Sequence, residues 1–214
     1  MKQAEFGRAG VVIEMSARQF LKRLVFGVCL VAVLPMILAV RIEDRFRGDA
    51  VFVSLNQLLA LVPGFIGTYL RAAYYYGSLE ECSWQVHIGF GSVFTHRGAS
   101  IGKHVSMGAY CIVGHACIGD HVMMASRISI PSGRRQHVDE SGRLSAEPRF
   151  EKVGIGRGSW IGEGAIIMAD VGEHSIVSAG AVVVNDMPRS SLVAGNPAVV
   201  VKALSSGANG RSVS

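Results

Sequence analysis

Histidine is the side chain in this sequence best suited to proton transfer near neutral pH, and the chain has seven histidines. An imidazole has an unperturbed pKa of about 6.5, so it can take a proton from a hydroxyl group and release it again. His137 differs from the others because it lies in a long polar segment, residues 131–152. Asp139 and Glu140 follow closely enough for either carboxylate to orient its ring. This segment therefore has the residues for general acid–base chemistry.

Two arginines precede this histidine. Arg134 and Arg135 carry guanidinium groups, which bind phosphates and carboxylates through paired hydrogen bonds. They are candidate contacts for an anionic part of a substrate, and a role in solubility alone explains them equally well.

The stretch that must position these residues is a repeat with a period of six residues. An aliphatic residue, usually followed by glycine, recurs at Ile101, Met107, Val113, Ile118, Met124 and Ile130, and again at Ile155, Ile161, Val171 and Val177. A helix repeats near every 3.6 residues and a single strand every two, so neither explains this spacing. The pattern predicts a solenoid of short strands, whose stacked coils share one core.

Small residues complete the repeat. The glycine after each aliphatic residue predicts a turn conformation that a Cβ atom opposes. A small or β-branched residue lies four positions beyond each aliphatic residue, namely Val105, Cys111, Cys117, Val122, Ser159, Ala165, Ser175 and Ala181. We therefore expect Cys111 and Cys117 to point inward as small hydrophobic residues. With Cys29 and Cys82 they make no disulfide framework, which is typical of a reducing compartment.

This pattern resembles the hexapeptide-repeat acyltransferases, over roughly residues 86–202. The closing segment, from Gly162 through Ala198, is similar to the branch of maltose, galactoside and polysaccharide O-acetyltransferases. The resemblance implies an all-β fold, a left-handed parallel β-helix with three legs per coil. It also implies a homotrimer whose active sites lie between subunits.

The resemblance further implies roles for particular residues. A histidine on the loop of an interrupted coil is the catalytic base in the family, which corresponds to His137, and a carboxylate three positions later corresponds to Glu140. Arg134 and Arg135 remain candidates for substrate binding. Acetyl-CoA, the implied donor, would bind along the later coils at Trp160, Gly162, Gly164, Ala179, Gly180 and Lys202.

The remaining histidines do not predict a metal site. The related γ-class carbonic anhydrases hold zinc with three histidines, and a catalytic zinc needs converging ligands with one open position. His104 and His121 take the third place after their aliphatic residues, whereas His115 takes the second, so the three are out of register. We therefore expect no metal, and we expect His87, His96 and His174 at the surface or in turns.

The whole chain divides into three parts. Residues 1–80 form an apolar N-terminal appendage, residues 81–204 form the solenoid with an insertion at 131–152, and residues 205–214 are Gly/Ser-rich and predicted to be disordered. Residues 192–204 predict a closing strand followed by a short helix.

The appendage has two interpretations. The uncharged run from Leu24 to Val40 is close to the length of about 20 residues that crosses a bilayer, although a buried helix has the same signature. In the next segment, Val51 to Tyr76, Pro63-Gly64 should interrupt any helix. The part around Arg71 either lies on a membrane or caps the open end of the solenoid, and the two are compatible.

These observations predict an acetyl-CoA-dependent O-acetyltransferase acting on a sugar hydroxyl of a polysaccharide or its lipid-linked precursor. Membrane association through residues 20–76 would place the enzyme, peripherally or by a single span, on the cytoplasmic face of the inner membrane. The net charge of +5 suits an anionic donor or membrane surface, and no pattern favours nucleic acid. The alternatives are a soluble acetyltransferase for an antibiotic or amino acid, a metal protein of the γ-carbonic-anhydrase kind, and a non-catalytic scaffold.

Overall fold

Three helices precede a parallel β-solenoid in the computed structural model of this chain. The structure describes residues 17–46, 48–134, 136–137, 143–145 and 149–205. The helices are α1 (Ala17–Asp44), α2 (Ala50–Ala60) and α3 (Gly64–Ser78). As Pro63-Gly64 predicted, α2 ends before this pair and α3 begins at it. The predicted tail lies outside the described residues except for Ser205.

The strands stack into three sheets, which the chain visits in the order A, B, C on each coil. Sheet A contains β1 (Glu81–Cys82), β4 (Ser100–Ile101), β7 (Ala116–Ile118) and β10 (Val153–Ile155). Sheet B contains β2 (His87–Ile88), β5 (Ser106–Met107), β8 (Met123–Met124), β11 (Trp160–Ile161), β13 (Ile176–Val177), β15 (Ser191–Gly195) and β16 (Ala198–Ala203). Sheet C contains β3 (Val93–Phe94), β6 (Ile112–Val113), β9 (Ser129–Ile130), β12 (Ile166–Ile167) and β14 (Val182–Val183). The predicted solenoid is therefore confirmed.

The aliphatic residues of the repeat form the core. Ile101, Met107 and Val113 are buried, and each pairs in register with its counterpart one coil later, as in Ile101 with Ile118. The small positions are buried as predicted, with one exception. Cys117 is exposed, and Ala116 takes the inward place instead. The reason is the five-residue step between Val113 and Ile118, which removes one residue from this leg and shifts its side-chain alternation.

The glycines that follow the aliphatic residues of the repeat allow neighbouring coils to stack closely. They are not the residues that adopt a left-handed backbone conformation. A Cβ added to Gly108 would lie 2.6 Å from the carbonyl carbon of Ala125, and one added to Gly162 would lie 2.5 Å from the Ala179 nitrogen. The left-handed turn positions come later in each leg and are often filled by larger residues, such as His104 and His121 with φ of 58° and 59°. The prediction that these glycines adopt a turn conformation opposed by a Cβ atom was therefore wrong. A Cβ is excluded because it would collide with the backbone of the next coil.

Helices α2 and α3 cap the first coil. Arg71 is only 1% exposed. Its guanidinium donates to the carbonyl oxygens of Leu59 (3.1 Å) and Val62 (2.8 Å) at the end of α2, and to that of Ile88 on β2 (3.0 Å). It thus satisfies carbonyls that a helix end leaves without a partner. This part of the appendage packs on the solenoid, so the capping interpretation accounts for it.

Helix α1 is apolar on both faces. One face packs against the rest of the protein through buried Phe26, Cys29, Val33, Ile37 and Val40. The opposite face exposes Phe20, Leu21, Leu24, Val28, Val31, Leu34, Leu38 and Ile42. Residues Gln19–Asp44 are long and apolar enough to cross a membrane by length and composition.

The C-terminal segment differs from the expectation of a strand and a helix. Strand β15 turns at Asn196-Pro197 and pairs antiparallel with β16, which occupies the place of the predicted helix. Val199, Val200 and Val201 explain the difference, because β-branched residues favour strands over helices.

Candidate functional site

The chain between β9 and β10 leaves the solenoid at the turn from sheet C to sheet A, which we call the C–A corner. Its two arms run beside each other: Glu151 N donates to Ser132 O (3.0 Å), and Arg149 N donates to Gln136 O (2.9 Å). Farther out, Ser145 N donates to His137 O (2.9 Å). We call residues 131–152 the insertion.

The predicted base lies on the outer part of the insertion. His137 is exposed, and its backbone carbonyl bonds to Ser145. Its predicted partner Glu140 lies outside the described residues, as do Asp139 and Arg135.

Arg134 fixes the insertion to a later coil. Its guanidinium donates to the Val184 carbonyl oxygen (2.7 Å) and to Asn185 Oδ1 (2.9 Å). Both acceptors belong to the C–A corner that follows β14. Arg134 therefore positions the insertion along this corner, a structural role that the sequence did not indicate.

The residues predicted to bind acetyl-CoA gather elsewhere, on sheet B and at the turn from sheet B to sheet C, the B–C corner. Trp160 is 43% exposed on β11. Gly164 and Gly180 stand at φ of 69° in the same turn of successive coils, and an added Cβ at either would have nothing within 4 Å. An extended ligand can therefore approach the backbone here, beside exposed Ala179.

Lys202 extends the same surface. It pairs with Leu192 on β15, which is two strands from Trp160 in sheet B. At about 4.8 Å between strands, Lys202 lies roughly 14 Å from Trp160. Gly162 completes the predicted set in the turn after β11, where it allows the close stacking described above.

The two halves of the predicted site thus lie at different corners of one protomer. Sheet C separates the C–A corner, which carries His137, from the B–C corner, which carries Gly164 and Gly180. The outer face of sheet C is largely apolar, with Ile112 and Ile166 exposed.

His87 is exposed on β2, and the remaining histidines outside the insertion divide between two corners. His104 and His121 stack with ring centroids 5.0 Å apart at the turn from sheet A to sheet B, where His174 also lies. His115 lies at the C–A corner instead, so these histidines do not converge. Within the described part of the chain, no group of three His, Cys, Asp or Glu side chains is arranged to hold a metal ion.

A cleft of about 690 Å³ lies between the three N-terminal helices, which we call the helical cap, and the C–A corner. His96 lines it with its ring 4.3 Å from that of Phe150 and 6.4 Å from that of His115, measured between centroids. Its Nδ1 is 3.9 Å from a carboxylate oxygen of Asp49. Burial lowers the pKa of His96 below the usual range, and nearby Asp49 opposes this shift.

The sequence predicted a surface or turn position for His96, and His96 does lie in the turn between β3 and β4, but its place in this cluster was not predicted. The two histidines come together through a strand pairing that only the structure shows: Phe94 pairs with Val113, so His96 and His115 hold equivalent places on consecutive coils. Arg97 then fixes the α1–α2 connection against the cleft, with bonds to Asp44 (2.8 Å) and Asp49 (2.6 Å).

The fold is similar to that of solved acetyltransferases. A maltose O-acetyltransferase from Clostridium difficile 630 is 24% identical, with a TM-score of 0.63 over 72% of this chain and 84% of that one. A hexapeptide-repeat-containing acetyltransferase from Vibrio cholerae O1 biovar eltor, complexed with acetyl coenzyme A, is 21% identical, with a TM-score of 0.60 over 71% and 85%.

A galactoside acetyltransferase in complex with coenzyme A has the same fold. It is 17% identical to this chain, with a TM-score of 0.60 over 73% of this chain and 80% of that one. No protein-family model matches the chain, and no curated protein sequence matches it. At these identities the likeness establishes the hexapeptide-repeat fold.

Proposed function

We propose that this protein is an acetyl-CoA-dependent O-acetyltransferase that modifies a sugar hydroxyl of a polysaccharide or its lipid-linked precursor. The observation that carries the proposal is an exposed histidine on a long insertion of a solenoid that has the fold of acetyltransferases. The maltose and galactoside enzymes among its structural neighbours favour a sugar acceptor.

In the proposed reaction, His137 acts as the general base. Its imidazole takes the proton of the acceptor hydroxyl while that oxygen attacks the thioester carbonyl. The C–O bond forms, the C–S bond breaks, and the proton passes from the imidazolium to the departing thiolate of coenzyme A. A backbone N–H at a turn would stabilise the oxyanion of the tetrahedral intermediate.

The donor would lie along sheet B and the B–C corner. Gly164 and Gly180 leave room for an extended pantetheine arm, and Trp160 offers a half-exposed ring beside it. Lys202, exposed on β16, is a candidate partner for a phosphate of the cofactor.

We infer a homotrimer, because the two halves of the site lie at different corners of one protomer. An insertion from one subunit would then meet the B–C corner of its neighbour. The exposed apolar side chains of Ile112, Ile166 and Met123 on sheets C and B suit such an interface.

We further infer peripheral attachment to the cytoplasmic face of the inner membrane. Helix α1 packs one face on the protein and exposes the other, so it is suited to lie along a bilayer surface and not to cross it alone. Lys22, Arg23, Arg41 and Arg45 flank the apolar run and suit an anionic surface.

A thioester-cleavage assay tests the proposed activity. Full-length protein in mild detergent should release coenzyme A from acetyl-CoA only when a hydroxylated sugar is added, and a chelator should not change the rate. Chelator-sensitive activity, or no acceptor-dependent release over a broad sugar panel, would contradict it.

A further inference from the structure

The cleft between the helical cap and the C–A corner has the character of a binding site for a neutral, polyhydroxylated molecule. Its volume of about 690 Å³ lies in the range of about 300–1,000 Å³ typical of small-molecule pockets. Asp49, Glu80, His96, His115 and Phe150 all line it. Among the described residues, none that the sequence predicted to bind substrate or donor lines this cleft.

The charges on the cleft walls compensate one another. Arg97 pairs with Asp44 and Asp49, and Lys152 Nζ, beside the cleft, lies 2.8 Å from Glu80 Oε2. Arg41, which also lines the cleft, donates to the carbonyl oxygen of Gly77 (2.7 Å). Among the described residues, the three cations Arg41, Arg97 and Lys152 offset the three carboxylates Asp44, Asp49 and Glu80, so the cleft has no excess charge with which to select an ionic ligand. Sugar hydroxyls both donate and accept, so they can use the remaining lone pairs and N–H groups without adding a charge.

An aromatic and imidazole wall completes the cleft. Phe150 is 45% exposed and lies against His96, so its ring presents an apolar surface of the kind that the C–H face of a pyranose covers. Burial lowers the pKa of His96 and so favours its neutral imidazole, in which one ring nitrogen donates and the other accepts. The exposed ring of Phe150 therefore lies beside polar side chains that could bind the hydroxyl groups of one sugar ring.

The cleft is joined to the insertion that carries the proposed base. Ser132 Oγ accepts a bond from His115 N (2.8 Å), and Val153 N donates to His115 O (2.9 Å), so both roots of the insertion are bonded to this histidine. Phe150 belongs to the returning arm of the same insertion.

From this arrangement we propose that the His96–His115–Phe150 cleft binds a neutral sugar ring of the acceptor glycan. The assignment of this sugar as an acceptor rests on the proposed acetyl transfer, whereas the binding itself does not. The helical cap contributes one wall, so the cap has a part in substrate binding as well as in closing the solenoid.

Sugar binding to the full-length protein tests this inference, with maltose, lactose and cellobiose as probes in saturation-transfer NMR. His96→Gln and Phe150→Leu should each weaken the affinity for the bound disaccharide about tenfold, the effect of losing a contact of about 1.4 kcal/mol. The matched controls are His121→Gln at another corner and Leu144→Ala, an exposed apolar residue of the same insertion. Both controls should bind sugar like the wild type.

The outcomes separate the cleft from the proposed activity. If the wild type binds none of the three disaccharides, or if His96→Gln and Phe150→Leu bind them normally, the inference is overturned whatever the acetyl transfer shows. If sugar binding depends on both residues but no acetyl transfer occurs, the sugar site stands and the proposed function fails. If transfer occurs, the KM for the sugar should rise about tenfold in both variants while that for acetyl-CoA stays unchanged.

Discussion

At the scale of single residues, the sequence singled out His137 from its polar context, but it could not locate the cluster around His96. The polar context of His137 is visible in the order of residues, because a long interruption of a repeat must leave the core. The cluster arises from stacking, since His96 and His115 meet only when one coil closes on the next. Cys117 is a different case, because the five-residue step that turns its side chain outward is visible in the sequence.

Replacing the proposed base should remove most of the activity. We expect His137→Ala to lower kcat roughly 10²–10⁴-fold, the usual contribution of a positioned general base. Because His137 is exposed, its effect on unfolding free energy should stay within about 0.5 kcal/mol. Steady-state kinetics and urea titration measure the two effects.

His121→Ala is the matched control, since it removes an exposed histidine at a different corner. Near-normal turnover in His137→Ala protein that still binds acetyl-CoA would exclude His137 as the base. His115 would then be the histidine to replace next, because it contacts the roots of the insertion.

At the scale of elements, the repeat predicted the solenoid strands, whereas the cap depended on tertiary contacts. Pro63-Gly64 marked the boundary between α2 and α3, but nothing in the sequence showed that Arg71 would be buried. Helix propensity and composition depend only on the residues of the segment itself. The burial of Arg71 depends instead on hydrogen bonds to carbonyl groups of α2 and β2. β16 is a similar case, in which pairing with β15 and local β-propensity favoured a strand.

Removing the Arg71 guanidinium should loosen the cap. Arg71→Met leaves the buried carbonyls of Leu59 and Ile88 and the partly buried carbonyl of Val62 without this donor, and we expect a loss of roughly 2–4 kcal/mol in unfolding free energy. Arg157→Met, an exposed arginine on the solenoid, should change it by less than about 0.5 kcal/mol. Urea titration of both variants provides the comparison, and equal midpoints would contradict this role for Arg71.

The exposed face of α1 can be tested without disturbing its packed face. Val31→Glu with Leu38→Glu places two charges on the outer face, and we expect binding to vesicles of mixed neutral and anionic lipids to fall at least about tenfold. Flotation with these vesicles measures the change.

The conservative pair Val31→Leu with Leu38→Ile controls for substitution itself and should float like the wild type. If the wild-type protein does not bind these vesicles, membrane attachment through the exposed face of α1 is contradicted.

At the scale of the whole molecule, the proposed active site depends on subunit association. The two-corner placement of His137 and the Gly164–Gly180 surface could not be predicted from the sequence, because it depends on which corner each leg reaches. Light scattering in mild detergent should give the mass of a trimer. A fully active monomer would contradict an active site formed by two subunits.

The most direct test of a site shared between subunits is complementation between two inactive variants. His137→Ala removes the base, and Ala179→Trp should block the donor surface at an exposed position of the B–C corner. Co-expressed subunits that assort randomly into trimers should recover about one quarter of the wild-type sites, because each mixed trimer contains one site with both halves intact. Activity of purified mixed trimers no higher than that of either parent variant would contradict a site built from two subunits.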